Sequence, residues 1–142
     1  NAVVNTLCTM FDMTMGDFAT FAGEKDMARM LLDEAYDACE RAGIQLIQTR
    51  QEAVEEVHFV SSTGNPLHRP SMYQDFSKGR PTEVDNINGY IADLGRVNGY
   101  RCRLHEFVTH QMHLAEAMRD LHARAELDGD EDMTTPDSRR VA

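Results

Sequence analysis

Apolar residues along this chain recur at intervals of three and four rather than two, and that period confines the fold to packed helices. Val3, Val4, Leu7, Met10 and Phe11 mark a first helix over about Asn1 to Met13, with Gly16 closing the region. Met27, Met30, Leu31, Ala35, Ala38 and Cys39 line one stripe of a second, over about Glu24 to Ala42, and Gly43 stands where a left-handed residue ends a helix. Thr49-Arg50-Gln51-Glu52 has the form of a capping box, which opens a third helix running to about Ser61, where a Ser/Thr/Gly/Asn/Pro cluster breaks it. Leu104, Phe107, Val108, Leu114, Ala115, Met118 and Leu121 predict a long, centrally packed helix over about Leu104 to Leu127. The acidic run that begins at Asp128 predicts a polar tail over 128–142, too poor in apolar residues to order itself.

A length of 142 residues is about one domain, large enough to bury roughly two thirds of its unfolded surface around a single core. The net charge of −10, with Lys and Arg scattered, argues against a nucleic-acid partner, because phosphate binding needs a concentrated basic surface. The sequence has no apolar run long enough to span a bilayer and no signal-peptide pattern. Cys8, Cys39 and Cys102 are odd in number and lack C-x-x-C spacing, which suits buried thiols in a reducing, cytoplasmic setting better than a disulfide framework.

The densest polar patterning falls between Arg69 and Gly89. Ser71-Met72-Tyr73-Gln74 has the form of a second capping box, starting a short helix that Gly79 ends. Thr82 is the expected cap of the next helix, whose stripe is Val84, Ile87, Ile91 and Leu94. That places Glu83 in a first turn, where the helix dipole favours a carboxylate. Gly89 interrupts this helix at a cost of up to about 1 kcal/mol, which predicts a close approach of some other group to its backbone. Asn5 sits in an otherwise apolar helix and needs a hydrogen-bonding partner, and Asn1 shares its face.

In order and spacing, Pro70-Ser71-Met72, Gln74-Asp75, Gly79-Arg80, Thr82-Glu83, Asp85 and Asn88-Gly89 resemble the PSM-x-QD…G-R-x-TE-x-D-x-x-NG signature of the ketopantoate reductase C-terminal domain. The resemblance reaches upstream to Asn1 and Asn5 and downstream to about residue 127. It implies an all-α bundle like the C-terminal domain of 6-phosphogluconate dehydrogenase-like enzymes, over residues 1–127. It further implies an NADPH-dependent reduction of 2-dehydropantoate in pantothenate biosynthesis, with Glu83 as the catalytic or substrate-orienting carboxylate and Asn1, Asn5 and Ser71 as substrate-binding residues. The family's catalytic lysine lies one helical turn before Asn1, and neither Lys25 nor Lys78 stands in its context. NADPH would sit on a preceding dinucleotide-binding domain, because no G-x-G-x-x-G is present here. The isolated chain is therefore expected to be inactive and to hold no cofactor tightly; a homo-oligomer is compatible with this reading.

Two departures from the family pattern put the identity of the 2-keto acid in question. Thr6 stands where a proline commonly follows the second asparagine, and Tyr100-Arg101-Cys102-Arg103-Leu104-His105 replaces the usual T-P-x-N. A related 2-keto acid reductase and a non-catalytic helical interaction domain remain the alternatives. Asn88 is expected to tie neighbouring helices. His105, His110 and His113 are expected on a helix surface rather than around a metal, since spacing and missing co-ligands complete no tetrahedral set. Asp128, Asp130 and Asp132 imitate the start of a calcium loop but lack its glycine and closing glutamate, so no metal site is expected.

Overall fold

The structure is a computed structural model that describes residues 1–133, with side chains described through residue 127. Among the described residues there is no strand. The helices are α1 (Val4–Met10), α2 (Met15–Thr20), α3 (Glu24–Arg41), α4 (Arg50–Phe59), α5 (Ser71–Ser77), α6 (Tyr90–Val97) and α7 (Arg103–Met133). Two π-helical turns complete the order: Val60–Gly64 extends α4, and Asp85–Gly89 leads into α6.

The termini follow local chemistry. Thr49 caps α4 as expected, its hydroxyl accepting from the Glu52 N–H while the Glu52 carboxylate accepts from the Thr49 N–H. Gly43 and Gly79 end their helices at positive φ, 72° and 70°. Gly16, by contrast, closes nothing. Thr14 and Asp17 form a capping box that opens α2, and Gly16 lies inside that helix, donating its N–H to Pro66 O at 2.8 Å. A Cβ there would lie 2.7 Å from Pro66 O, so glycine permits the contact between α2 and the loop before α5.

The main core gathers Val3, Val4, Leu7 and Cys8 of the first segment with Phe18, Ala28, Leu31 and Val108. Met72, Val84 and Met112 form a second cluster, and Ala38, Ala92 and Cys102 a third. Cys8 and Cys102 are fully buried, and burial pushes both thiols up to about 11, so they stay protonated and inert. No described helix is long and apolar enough to cross a membrane.

On α7 the expected buried face is rotated. His105, Val108, Thr109 and Met112 point into the protein, while Phe107, Leu114, Met118 and Leu121 stand 40–60% exposed. A histidine and a threonine can be buried here because each is hydrogen-bonded, a condition that apolar periodicity does not register. The exposed side chains Phe107 and Leu114 instead border an open apolar groove with Phe11 and Met30. α7 also runs past Leu127 to Met133. Extending a formed helix adds a hydrogen bond for each residue fixed, so the roughly 1 kcal/mol cost of Gly129 does not stop it. The rest of the expected tail, 134–142, lies outside the described residues.

The close backbone approach expected at Gly89 occurs at Gly95. Around Gly89 a Cβ would meet only ordinary contacts, the nearest at 3.5 Å, because that glycine closes a π turn. At Gly95 a Cβ would fall 2.6 Å from Cys102 Sγ and 2.8 Å from Tyr100 O. Gly95→Ala is therefore expected to lower stability by about 1–3 kcal/mol despite alanine's better helix propensity, since a carbonyl cannot yield as a side-chain tip can. Urea unfolding of the two proteins measures it; an alanine variant as stable as the parent would mean that the 95–102 turn opens freely.

Candidate functional site

Asn88 occupies the second π turn and is fully buried. Its Oδ1 accepts from the Thr6 hydroxyl at 2.6 Å, and its Nδ2 donates to Ala2 O at 2.8 Å and to His105 Nδ1 at 3.1 Å. The remaining ring nitrogen, His105 Nε2, donates to Leu31 O at 2.9 Å. Every polar atom of this amide–imidazole pair is thereby engaged, which fixes His105 as the Nε2–H tautomer. The expectation that Asn88 ties helices holds, and Thr6 is the donor that faces it. His105 is not a surface residue: it is fully buried at the centre of the bundle. His113 is exposed beside Asp85, and no group of three or more His, Cys, Asp or Glu that could hold a metal ion occurs among the described residues.

Burial depresses the His105 pKa below its ordinary value of 6.5. The sign follows from proton counts. Above about pH 6.5 neither the folded nor the unfolded chain carries this proton, and the contribution of the neutral ring is complete. As pH falls below 6.5 the unfolded chain binds a proton that the folded one refuses, so stability drops by up to about 1.4 kcal/mol per pH unit until the depressed folded value is passed. Melting curves between pH 8 and pH 5 should show this slope in the parent and a shallower one in His105→Gln; equal slopes would exclude His105 as its source.

The first turn of the chain presents Asn1 and Asn5 on one face, with the Asn5 N–H donating to Asn1 O at 3.1 Å. These two residues, Ser71 and its neighbour His68 line one open cavity of about 480 Å³. Its apolar lining comes from several segments: Val4, Met15, Leu32 and Pro70 contribute, and Ala53 and Val57 of α4, then Val60 of the first π turn, share a helical face with Glu56. Gln48, also at the cavity, donates its side-chain amide to the Glu56 carboxylate.

Ser71 differs from its expected local role. Pro70 occupies the cap position of α5 and Ser71 is the first helical residue, making no capping hydrogen bond. Proline before the serine supplies the extended φ,ψ of the cap, so the hydroxyl is not consumed there. Thr82 is not a cap either: its hydroxyl is buried without a protein partner, while its N–H donates to Glu116 Oε1 at 2.6 Å. The helix begins one residue later than expected, with Glu83 O accepting from the Asn86 and Ile87 N–H groups.

The structure thus gathers Asn1, Asn5 and Ser71 around one cavity, whereas Glu83 is exposed and not part of its lining. Met72 and Val84, the residues directly after Ser71 and Glu83, pack in the same buried cluster, which holds the two segments together. Gln48, Glu56 and the α4 face are cavity residues that sequence reasoning missed. The capping box at Thr49 located α4, but nothing local indicated what its outer face would meet.

The chain is an all-α module with two amides and a serine hydroxyl at an open cavity. The profile described as "Ketopantoate reductase PanE/ApbA C terminal" matches residues 1–116, and the chain belongs to that family. It is 31% identical over 121 residues to the 2-dehydropantoate 2-reductase of Lactococcus lactis, covering 83% of this chain and 38% of that protein. It is 28% identical over 112 residues to that of Aquifex aeolicus, covering 77% and 35%. The chain therefore spans little more than a third of the length of these curated relatives. Among solved structures, a D-mandelate dehydrogenase with NADH and anilino(oxo)acetate superposes with a TM-score of 0.78 at 29% identity, over 84% of this chain and 49% of that one. A putative 2-dehydropantoate 2-reductase from Enterococcus faecalis gives 0.78 at 27%, over 84% and 38%.

Proposed function

We propose that this chain forms the substrate side of the active-site cleft of an NADPH-dependent 2-keto acid reductase, with 2-dehydropantoate as its substrate. The convergence of Asn1, Asn5 and Ser71 on one cavity carries the reading. Two amides and an uncommitted hydroxyl offer donors for a carboxylate and a keto or hydroxyl oxygen, and the nearby apolar α4 face offers room for the rest of a small acid. Holding the substrate in one orientation is the contribution assigned to these residues. Glu83 is assigned to orienting the substrate or the lysine that the family places before Asn1.

The residues present do not fit a dinucleotide. The sequence has no G-x-G-x-x-G turn, and no strand occurs among the described residues to present one. NADPH therefore belongs to the part of the relatives that this chain does not span, and this chain by itself is expected neither to bind NADPH tightly nor to turn over. A second reading, reduction of a different 2-keto acid, is favoured by the similarity to D-mandelate dehydrogenase and by the departures at Thr6 and at Tyr100–His105.

The test uses the full-length protein with NADPH and 2-dehydropantoate. Ser71→Ala should raise KM about tenfold, on the scale of one lost hydrogen bond to a charged group, with kcat less affected. Because Ser71 makes no capping bond, the melting temperature should stay within about 1 °C, a change well under 0.5 kcal/mol. An unchanged KM would remove Ser71 from the substrate, and absence of turnover with any 2-keto acid would favour a non-catalytic helical module.

A further inference from the structure

We infer that α4 is the specificity wall of this cavity, and that the Glu56 carboxylate restricts it to 2-keto acids whose side chains are uncharged. The inference rests on the proposed reductase reading and goes beyond it, because it concerns discrimination among acids.

Each acid of this class has one carboxylate and one keto group in common, and Asn1, Asn5 and Ser71 suffice for those shared oxygens. Discrimination must come from whatever meets the variable side chain. Val4, Met15, Leu32 and Pro70 line the cavity singly from separate segments, whereas Ala53 and Val57 of α4 and Val60 of the π turn that extends it, at the helical spacing of four and three, present its one apolar strip along a continuous helix. An apolar strip accepts branched or aromatic carbon but discriminates weakly among apolar groups. Strong rejection needs an opposing charge.

Glu56 supplies it. It falls on the same face, one turn after Ala53 and one before Val60, and it lines the cavity. Gln48, which lies just before the Thr49 cap, donates to the Glu56 carboxylate and so restrains it beside the strip. Among the described residues no Lys or Arg lines the cavity to offset it. A second carboxylate, as in 2-oxoglutarate, would meet like charge there, whereas a hydroxyl could donate to the same oxygens. Substrates with an apolar or hydroxylated side chain fit; dicarboxylic 2-keto acids do not.

The full-length enzyme is assayed for kcat/KM on 3-methyl-2-oxobutanoate and on 2-oxoglutarate, in parent, Glu56→Gln and Glu56→Lys. The parent should prefer the uncharged acid by at least about 100-fold. Glu56→Gln should reduce that ratio about tenfold or more, and Glu56→Lys further. Raising the salt concentration should narrow the parent's ratio and leave that of Glu56→Gln nearly constant, since only a charge-based rejection is screened. Ser71→Ala serves as the contrast: it should lower both substrates together and keep the ratio. An unchanged ratio in both Glu56 variants, or a parent that accepts 2-oxoglutarate equally well, would overturn the inference while leaving the reductase reading intact. Failure of the parent on every 2-keto acid would overturn both. Glu56 is exposed, so both variants are expected to fold, and circular dichroism verifies it.

Discussion

On the proposed reductase reading, Glu83→Ala in the full-length protein should lower kcat/KM by about 100-fold or more, the scale associated with losing one positioned catalytic group. Its effect on stability should be small. Glu83 is exposed, and a carboxylate at a helix start contributes only about 0.3–1 kcal/mol through the dipole. The experiment is pointed because Glu83 lies outside the cavity shared by Asn1, Asn5 and Ser71. A catalytic Glu83 requires the cleft to extend beyond that cavity, across the segment held by Met72 and Val84, to a surface completed by the rest of the protein. Steady-state kinetics with Glu83→Gln beside Glu83→Ala separates the roles: a charge-dependent function is lost in both, while a pure helix-start function leaves activity within about threefold of the parent in either.

The largest effect on stability is expected at Asn88. Asn88→Ala strands the Thr6 hydroxyl, the Ala2 carbonyl and the His105 Nδ1 in a fully buried space. Each unsatisfied buried group costs about 1–3 kcal/mol, so a loss of at least about 3 kcal/mol is expected, with a fall in melting temperature on the order of 10 °C. Thermal unfolding followed by circular dichroism checks it. A drop below about 1 kcal/mol would mean that water or a rotated ring replaces the amide without penalty.

Much of this was legible in the sequence, and the division has physical reasons. Period and punctuation gave the all-α class, the end of α3 and the Thr49 capping box, because each depends on residues within a few positions of one another; the Ser/Thr/Gly cluster expected to break α4 at Ser61 instead forms the π turn that extends it to Gly64. The family resemblance placed Asn1, Asn5, Ser71 and Glu83 in one pocket, and the first three share a cavity while Glu83 does not; no local pattern joins the first turn of the chain to residue 71. What failed was long-range. Glu34 caps α7 by accepting from the Leu104 and His105 N–H groups at 2.9–3.1 Å, a contact spanning half the chain with no signature at either end. The inward face of α7 was misassigned because His105 is buried by virtue of partners on two other segments. The caps at Ser71 and Thr82 were misassigned for a different reason: Pro70 occupies the cap position of α5, and the Thr82 N–H is held by Glu116 from α7 rather than by a residue of its own helix.

The contact between Thr6 and Asn88 bears on how this domain can change over generations. Thr6 stands next to Asn5 on α1, and Asn88 lies in the π turn that follows Glu83, so one hydrogen bond joins the helix carrying a cavity amide to the segment that follows Glu83. A proline at position 6, common in the family, has no hydroxyl to give. Asn88 belongs to the family signature even where proline stands at position 6, so its Oδ1 must find another donor there, and Thr6→Pro introduced alone should be poorly tolerated in this chain. Grafting a new substrate preference onto this scaffold by exchanging α1 alone would break that linkage, so the portable unit is α1 together with the turn at Asn88 and the root of α7.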